Sequence, residues 1–313
     1  MLDRYDPLED ARSRAWEGQA RDRSGRPSGD GRERVVDPRA LFTRDLELPR
    51  GHERQRVSVR SRSYELRGSE SLTLATVGAF RVVSTSDLLD HDGRHVDPRA
   101  GDLRQLREAA LVQTIRIAGR RDHVVALTKE GRTLIEAHRR PGGEETRQAF
   151  YAGVKKPREL EHDVQAYRAY LRSAERLTAH GASFRRVVLD DELKREYQEF
   201  LQERNRHRRD SDGRSDRDTH EIAAWALDHA LPSFDEHVHF PDVRIEYDDV
   251  DGRSRLEDIE VTTVHYRGAH ASAVARSGVS RYHTGSVGVF GHGGRSRGGG
   301  GAAGPGLADE MLR

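Results

Sequence analysis

Residues 97–140 read DPRAGDLRQLREAALVQTIRIAGRRDHVVALTKEGRTLIEAHRR, and this stretch decides the fold. Asp97-Pro98 is a helix start: Asp accepts a first-turn N–H, and Pro sets a helical φ where its missing N–H is not needed. The helix that follows, over 98–111, puts Leu103, Leu106 and Ala110 on one face and leaves Arg99, Arg104 and Arg107 on more exposed faces. LVQTIRI and HVVALT then read as two β-strands, separated by the short basic turn Ala118-Gly119-Arg120-Arg121-Asp122. Thr128 is placed to cap a last helix, KEGRTLIEAHRR, with Leu134 and Ile135 inward.

Upstream, Ser71 to Val83 is apolar at Leu72, Leu74, Val77, Ala79, Phe80 and Val83, a helical spacing. Ser84 or Ser86 can cap a short second helix, TSDLLD. Three helices followed by a two-stranded hairpin is the winged helix-turn-helix arrangement, here over 67–140. In that arrangement the third helix enters the major groove, where base edges carry a distinguishable code. Arg99, Arg104 and Arg107 are then the base-reading side, and Arg120 and Arg121 at the hairpin tip meet backbone phosphates. The same fold also serves as a protein-interaction module, and arginines on a helix also make a solvated face.

Downstream the grammar changes. ELEHDVQAYRAYLRSAERL reads as a long helix, apolar at Leu160, Val164, Tyr167, Leu171 and Ala174. SFRRVVLD reads as a strand, DELKREYQEFLQER as a charged helix, and HEIAAWALDHAL as a further helix capped by Asp218 or Thr219. Two strands, HFPDVRIEYDDV and RLEDIEVTTVHY, are joined by the hairpin signal Asp251-Gly252, and a helix is expected from about Ala269 to Tyr282. This order fits an α/β domain with a small mixed sheet over 158–283, joined to the first unit by a linker at 141–157.

The chemistry-bearing residues lie on the second hairpin. Asp258 and Glu260 share a strand face, because strand side chains alternate. Asp242 stands 18 residues before Glu260, a spacing that can bring two carboxylates side by side across a hairpin. Hard oxygen ligands of this kind suit Mg²⁺-assisted phosphodiester cleavage. Asp242 and Glu260 are the candidate metal ligands and catalytic acids; Asp258 joins them, with Glu161 or Asp163 from the long helix. The element order and the acids match the PD-(D/E)xK nuclease pattern, except that Thr262 occupies the place of its lysine. No lysine follows Lys194, and arginine cannot serve as a base because it stays protonated. This departure points away from an enzyme. His237 and His239 share a strand face without a convincing third ligand, and His162 sits between Glu161 and Asp163 as a helix-terminal cluster.

Composition sets the frame for these units. The 313 residues carry 54 basic and 53 acidic side chains, and 34% are hydrophobic. That apolar share is too low for a chain folded throughout. The deficit falls at the ends: residues 1–66 read as a mostly disordered Arg-rich segment, in which 35–48 can dock on a domain, and 284–313 as a Gly-rich disordered tail. The absence of cysteine excludes disulfides, thiolate metal sites and thiol catalysis. No run of about 18 apolar residues exists, and the start lacks a signal-peptide core, so no membrane contact and a cytoplasmic location are expected. Only Lys129, Lys155, Lys156 and Lys194 are lysine; the other basic residues are arginine, as codon usage in a GC-rich genome favours. No Gly-rich nucleotide loop follows a strand, so no nucleotide cofactor is expected.

LRQLREAALVQ, VVALTKEGRTLI, EHDVQAYRAYL, RRVVLDDELKREY, PDVRIEY and LEDIEV, in this order over about 67–283, together resemble the replication-relaxation family of bacterial mobile-element proteins. The resemblance implies an α+β chain with a winged helix-turn-helix followed by a restriction-endonuclease-like domain. It implies a role in plasmid or integrative-element replication, DNA relaxation or conjugative mobilisation. The expected partners are double-stranded DNA and relaxase or other mobilisation proteins, with a homodimer left open. DNA binding requires no cofactor; Mg²⁺ enters only if the nuclease-like site is active. Two alternatives stand beside this reading: an active Mg²⁺ endonuclease using Asp242 and Glu260, and a protein-interaction adaptor with a repurposed winged helix.

Overall fold

The computed structural model describes residues 37–117, 122–142, 147–154, 159–206, 215–234, 237–262 and 280–283. Within them the protein is α+β, with helices α1 (Ala40–Thr43), α2 (Gly68–Phe80), α3 (Gly101–Glu108), α4 (Lys129–Ala137), α5 (Leu160–Ala179), α6 (Asp190–Gln202) and α7 (Thr219–Asp228). No helix among the described residues is long and apolar enough to cross a membrane.

The first half is built around α2, which is buried on nearly every side from Leu74 to Phe80. It is followed by β3 (Val82–Ser84), a 3-10 turn at Thr85–Asp87, α3, β4 (Val112–Arg116), β5 (His123–Leu127) and α4. The three strands form an antiparallel sheet in the order β3-β5-β4. The expected short second helix is reduced to the 3-10 turn, with Ser84 capping it through a hydrogen bond from the Ser86 N–H. The third helix begins later than expected. Asp97 accepts the Arg99 N–H at 2.8 Å and closes a separate turn, and α3 starts only at Gly101, whose φ is +57°. Arg99 therefore lies ahead of the helix rather than on it. Thr128 caps α4 as expected, accepting the Gly131 N–H at 3.0 Å. Gly131 is required there: a Cβ would sit 2.1 Å from the Leu111 carbonyl oxygen.

Residues 37–66, expected to belong to a mostly disordered segment, are structured. They form α1 and the antiparallel hairpin β1 (Gln55–Val59) and β2 (Arg62–Leu66). Phe42, Leu46, Leu48, Val57 and Leu66 are buried from this stretch. Each such side chain removed from water contributes about 1.5–3 kcal/mol, enough to offset the ordering of a few residues.

The second half carries a four-stranded sheet in the order β11-β10-β9-β6, with β6 (Ser183–Leu189), β9 (Val243–Asp248), β10 (Ser254–Thr262) and β11 (Ser280–His283). Neighbours are antiparallel except β10 and β11, which run parallel. The β9–β10 hairpin turns at Asp251-Gly252 as expected, with Gly252 at φ +74°. Val187, Leu189, Val243, Ile245, Ile259 and Val261 pack on the α5 side. Val188 packs on the other side with Leu193, Trp225, Ala226 and Leu231 from the α6–α7 region. A small hairpin, β7 (Ser233–Phe234) with β8 (His237–Val238), precedes β9. Residues 280–283 form a strand where the end of a helix was expected; 263–279 lie outside the described residues.

The two halves share one core. Phe42, Phe80, Tyr167 and Tyr170 form a ring cluster with centroid separations of 5.0 to 5.5 Å between Phe80 and its three neighbours. The expected linker at 141–157 is packed over its described part, 147–154. Phe150 is buried, the Tyr151 N–H donates to the Gly78 carbonyl at 2.8 Å, and the Gly153 N–H donates to Leu127. Gln148 holds edge strand β6 as a third strand would: its Nε2 donates to the Val187 carbonyl at 2.8 Å and its Oε1 accepts the Val187 N–H at 3.0 Å. Arg44 donates to the Phe184 and Arg185 carbonyls farther along the same edge. Unpaired edge groups otherwise invite pairing with another chain.

Candidate functional site

Two sites come from the sequence, and their geometries differ in kind. The first is the outer face of α3. Leu103 and Leu106 are 1% exposed and anchor the helix, while Arg104 and Arg107 point to solvent, as does Arg99 from the preceding turn. Arg104 Nε donates to Glu108 Oε1 at 2.8 Å across one helical turn, and Arg107 donates to the Pro98 carbonyl. Exposed pairs of this kind contribute little and exchange readily for a phosphate or a base edge. The N-terminus of α3 is rigidly held. Asp102 is buried, accepts from Ser69 Oγ at 2.6 Å and from the His91 N–H at 3.0 Å, and pairs with Arg67 at 2.9 Å.

The start of β5, where the wing is expected, is held just as firmly. Asp122, at the start of β5, accepts from Ser84, Thr85 and Ser86 hydroxyls and from the His123 N–H. Burial pushes its carboxyl up, but these four donors together hold it below the usual aspartate range. Arg120 and Arg121 at the expected wing tip lie outside the described residues.

The second site lies at the start of β9. The β9–β10 ladder ends at the pairing Val243↔Ile259, and Asp242 lies one residue beyond it, in a bend. Asp242 does not stand free for a metal. Its Oδ2 accepts the Val261 N–H at 2.8 Å and lies 3.2 Å from His162 Nε2. The Asp163 carboxylate, 3.8 Å from the other ring nitrogen, and Asp242 push the His162 imidazole up to about 10 against the opposing effect of burial. His162 is thus an imidazolium at neutral pH, and its charge faces Asp242. Glu161, the neighbouring candidate, is exposed on α5.

Asp258 is taken by a different partner. Arg244 Nε and Nη2 donate to its two oxygens at 2.7 and 2.8 Å, and the remaining guanidinium hydrogens reach the His229 and Ala230 carbonyls. Sequence reasoning missed this pair, although a signal exists. Arg244 and Asp258 stand seven residues on either side of Asp251, so a hairpin centred there sets them across from each other. Glu260 is 7% exposed and shares the Asp258 face, away from the Ile259 and Val261 side under α5. Asp242, Asp258 and Glu260 form no three-ligand group among the described residues. With one carboxylate on an imidazolium and another on a buried guanidinium, the donor set does not fit Mg²⁺. Asp90, His91 and Asp92 do bring ligand atoms within 4.8 Å, but they sit in a turn where Asp90 accepts the Asp92 and Arg94 N–H groups.

Three contacts tie the second site to the first half. Arg168 on α5 donates to Asp87 at 2.7 Å, and Arg81 pairs with Asp190 at 3.1 Å and with Asp191. The Asp190 N–H in turn reaches the Asp242 carbonyl at 3.4 Å. Comparison of the chain with protein-family models, with curated proteins and with solved structures finds no match in any of the three.

Proposed function

We propose that this protein binds double-stranded DNA through a winged-helix unit and that its four-stranded domain is a restriction-endonuclease-like scaffold that does not cut. One observation carries the reading: α3, buried through Leu103 and Leu106, turns Arg104 and Arg107 outward beside a β3-β5-β4 sheet in which β4 and β5 pair antiparallel, as the strands of a wing would. That arrangement suits a helix in the major groove and a hairpin along the backbone. The strand order β11-β10-β9-β6, with its single parallel pair at β10–β11, supports the nuclease-like scaffold. The engagement of Asp242 by His162 and of Asp258 by Arg244 supports the absence of cleavage. In this reading the protein acts in the cytoplasm, and the resemblance to the replication-relaxation family supports plasmid or integrative-element DNA as its target and relaxase or other mobilisation proteins as its partners.

Fluorescence anisotropy with a labelled duplex at low salt tests the reading. The protein binds, affinity falls with added salt, and Arg104→Ala with Arg107→Ala weakens binding at least tenfold, since each base-edge arginine is worth about 1–3 kcal/mol. No binding at low salt, or binding untouched by the double substitution, overturns it. Supercoiled plasmid incubated with the protein and Mg²⁺ stays intact; nicking that disappears in Asp242→Ala would establish the endonuclease instead.

A further inference from the structure

We infer that the β1–β2 hairpin is a second phosphate-contacting arm, gripping the duplex backbone beside the segment engaged by α3; this rests on the DNA-binding reading above. The hairpin divides its arginines into two sets. At its base, Arg54 donates to both oxygens of Glu70 at 2.7 and 3.0 Å, and Arg67 pairs with Asp102, the first-turn acid of α3. These charges are internal and fasten the arm to the N-terminal end of α3. Toward the tip, Arg56, Arg60 and Arg62 are exposed. Arg60 and Arg62 side chains have no ion-pair partner among the described residues, and Arg56 bonds only the Ser63 hydroxyl, with Glu65 across the ladder as the nearest acid by register.

The arm is stiff as well as charged. Val57 and Leu66 are buried on its inner face, Val59 and Tyr64 pack against the core, and His138 at the end of α4 bonds the Ser58 carbonyl at 3.1 Å. Its outer face carries Arg56, Ser58, Ser63 and Glu65, with no apolar side chain to suit a hydrophobic partner. Arg56 with the Ser58 and Ser63 hydroxyls on this face, Arg60 in the turn and Arg62 beside it at the start of β2 supply guanidinium and hydroxyl donors, the groups that bind phosphate oxygens. Arg60 sits at φ +54° in the turn, a conformation that glycine or asparagine fills at lower cost. Strands of five residues span about 17 Å, so the tip reaches phosphates beyond the footprint of α3 alone.

A salt titration of duplex binding tests the arm. Each phosphate neutralised contributes about 0.9 to the slope of log K against log salt. The triple variant Arg56→Gln, Arg60→Gln, Arg62→Gln lowers the slope by about 2.7, so between 50 and 200 mM salt it loses about 40-fold less affinity than the unaltered chain. The decrease is the same on duplexes of unrelated sequence, unlike that of Arg104→Ala with Arg107→Ala. A triple variant with unchanged slope, while the unaltered chain binds, overturns the arm and leaves the α3 reading standing. An unaltered chain that binds no duplex overturns both. Should the triple variant lose its fold, Arg60→Gln alone serves, with a slope decrease of about 0.9 expected and an unchanged slope decisive against the arm.

Discussion

Replacing Asp258 by alanine separates a structural acid from a catalytic one. In the folded protein Asp258 takes two hydrogen bonds from Arg244, and Arg244 is 4% exposed. The other guanidinium hydrogens hold the His229 and Ala230 carbonyls just after α7, so the cation cannot swing into water without opening that turn. Asp258→Ala therefore leaves a buried charge without its partner, a loss of about 3–5 kcal/mol. Two hydrogen bonds to a charged group, at about 1.5–3 kcal/mol each, reach the same range. The loss is large beside the roughly 5–15 kcal/mol that holds a domain folded. Urea denaturation followed by circular dichroism reads it as a lower midpoint at unchanged slope. Arg244→Met with Asp258→Leu removes both charges together and loses less than Asp258→Ala does, its remaining cost being the His229 and Ala230 carbonyls left without their donor. An alanine variant within about 1 kcal/mol of the unaltered protein would refute the structural role. So would a gain in stability, the outcome when one acid leaves a set of mutually repelling metal ligands.

Two further outcomes follow from the geometry. Gln148→Ala leaves the Val187 N–H and carbonyl unpaired at a buried strand edge and lowers stability by about 1–3 kcal/mol, read from urea midpoints; no change would show that water replaces the amide freely. His162 has a folded pKa of about 10, raised above the ordinary value of 6.5, so its contribution is complete below pH 6.5 and disappears as pH rises through 10. The decline is on the order of 1–2 kcal/mol after solvent screening, and His162→Gln flattens it; equal declines in both proteins would assign the effect elsewhere.

What could be read from sequence was local. The cap at Thr128, the period of α5 and the turn at Asp251-Gly252 each depend on neighbouring residues, and each holds. The turn at Asp251-Gly252 propagates its register along both strands as far as Val243 and Ile259. The elements missed depend on distant partners or on a concealed turn. β3 is three residues long and exists through its pairing with β5, some forty residues later. The β1–β2 hairpin does alternate, but Arg60 and Ser61 turn it without the glycine or asparagine that announces a hairpin, and its arginines resemble those of an unstructured leader. Gln148 and Phe150 have no period to betray them. The partners of the acids escaped for a related reason: spacing does not say which cation reaches a carboxylate first. Here His162 and Arg244 do.

Under the proposal that α3 binds duplex DNA, the aromatic cluster shared by the two halves has a consequence for spacing along the double helix. Domains on a flexible tether can engage two stretches of a duplex at any separation. Phe42, Phe80, Tyr167 and Tyr170 leave no such tether, since α5, one rigid rod of about 30 Å, carries Tyr167 and Tyr170 of the joint and His162 of the second site alike. Once α3 is seated, every other surface of the protein meets the double helix at one rotational phase. A second contact made by the same chain would then survive insertion of a whole turn, about 10.5 base pairs, only if it lay within reach, and would be lost on insertion of half a turn.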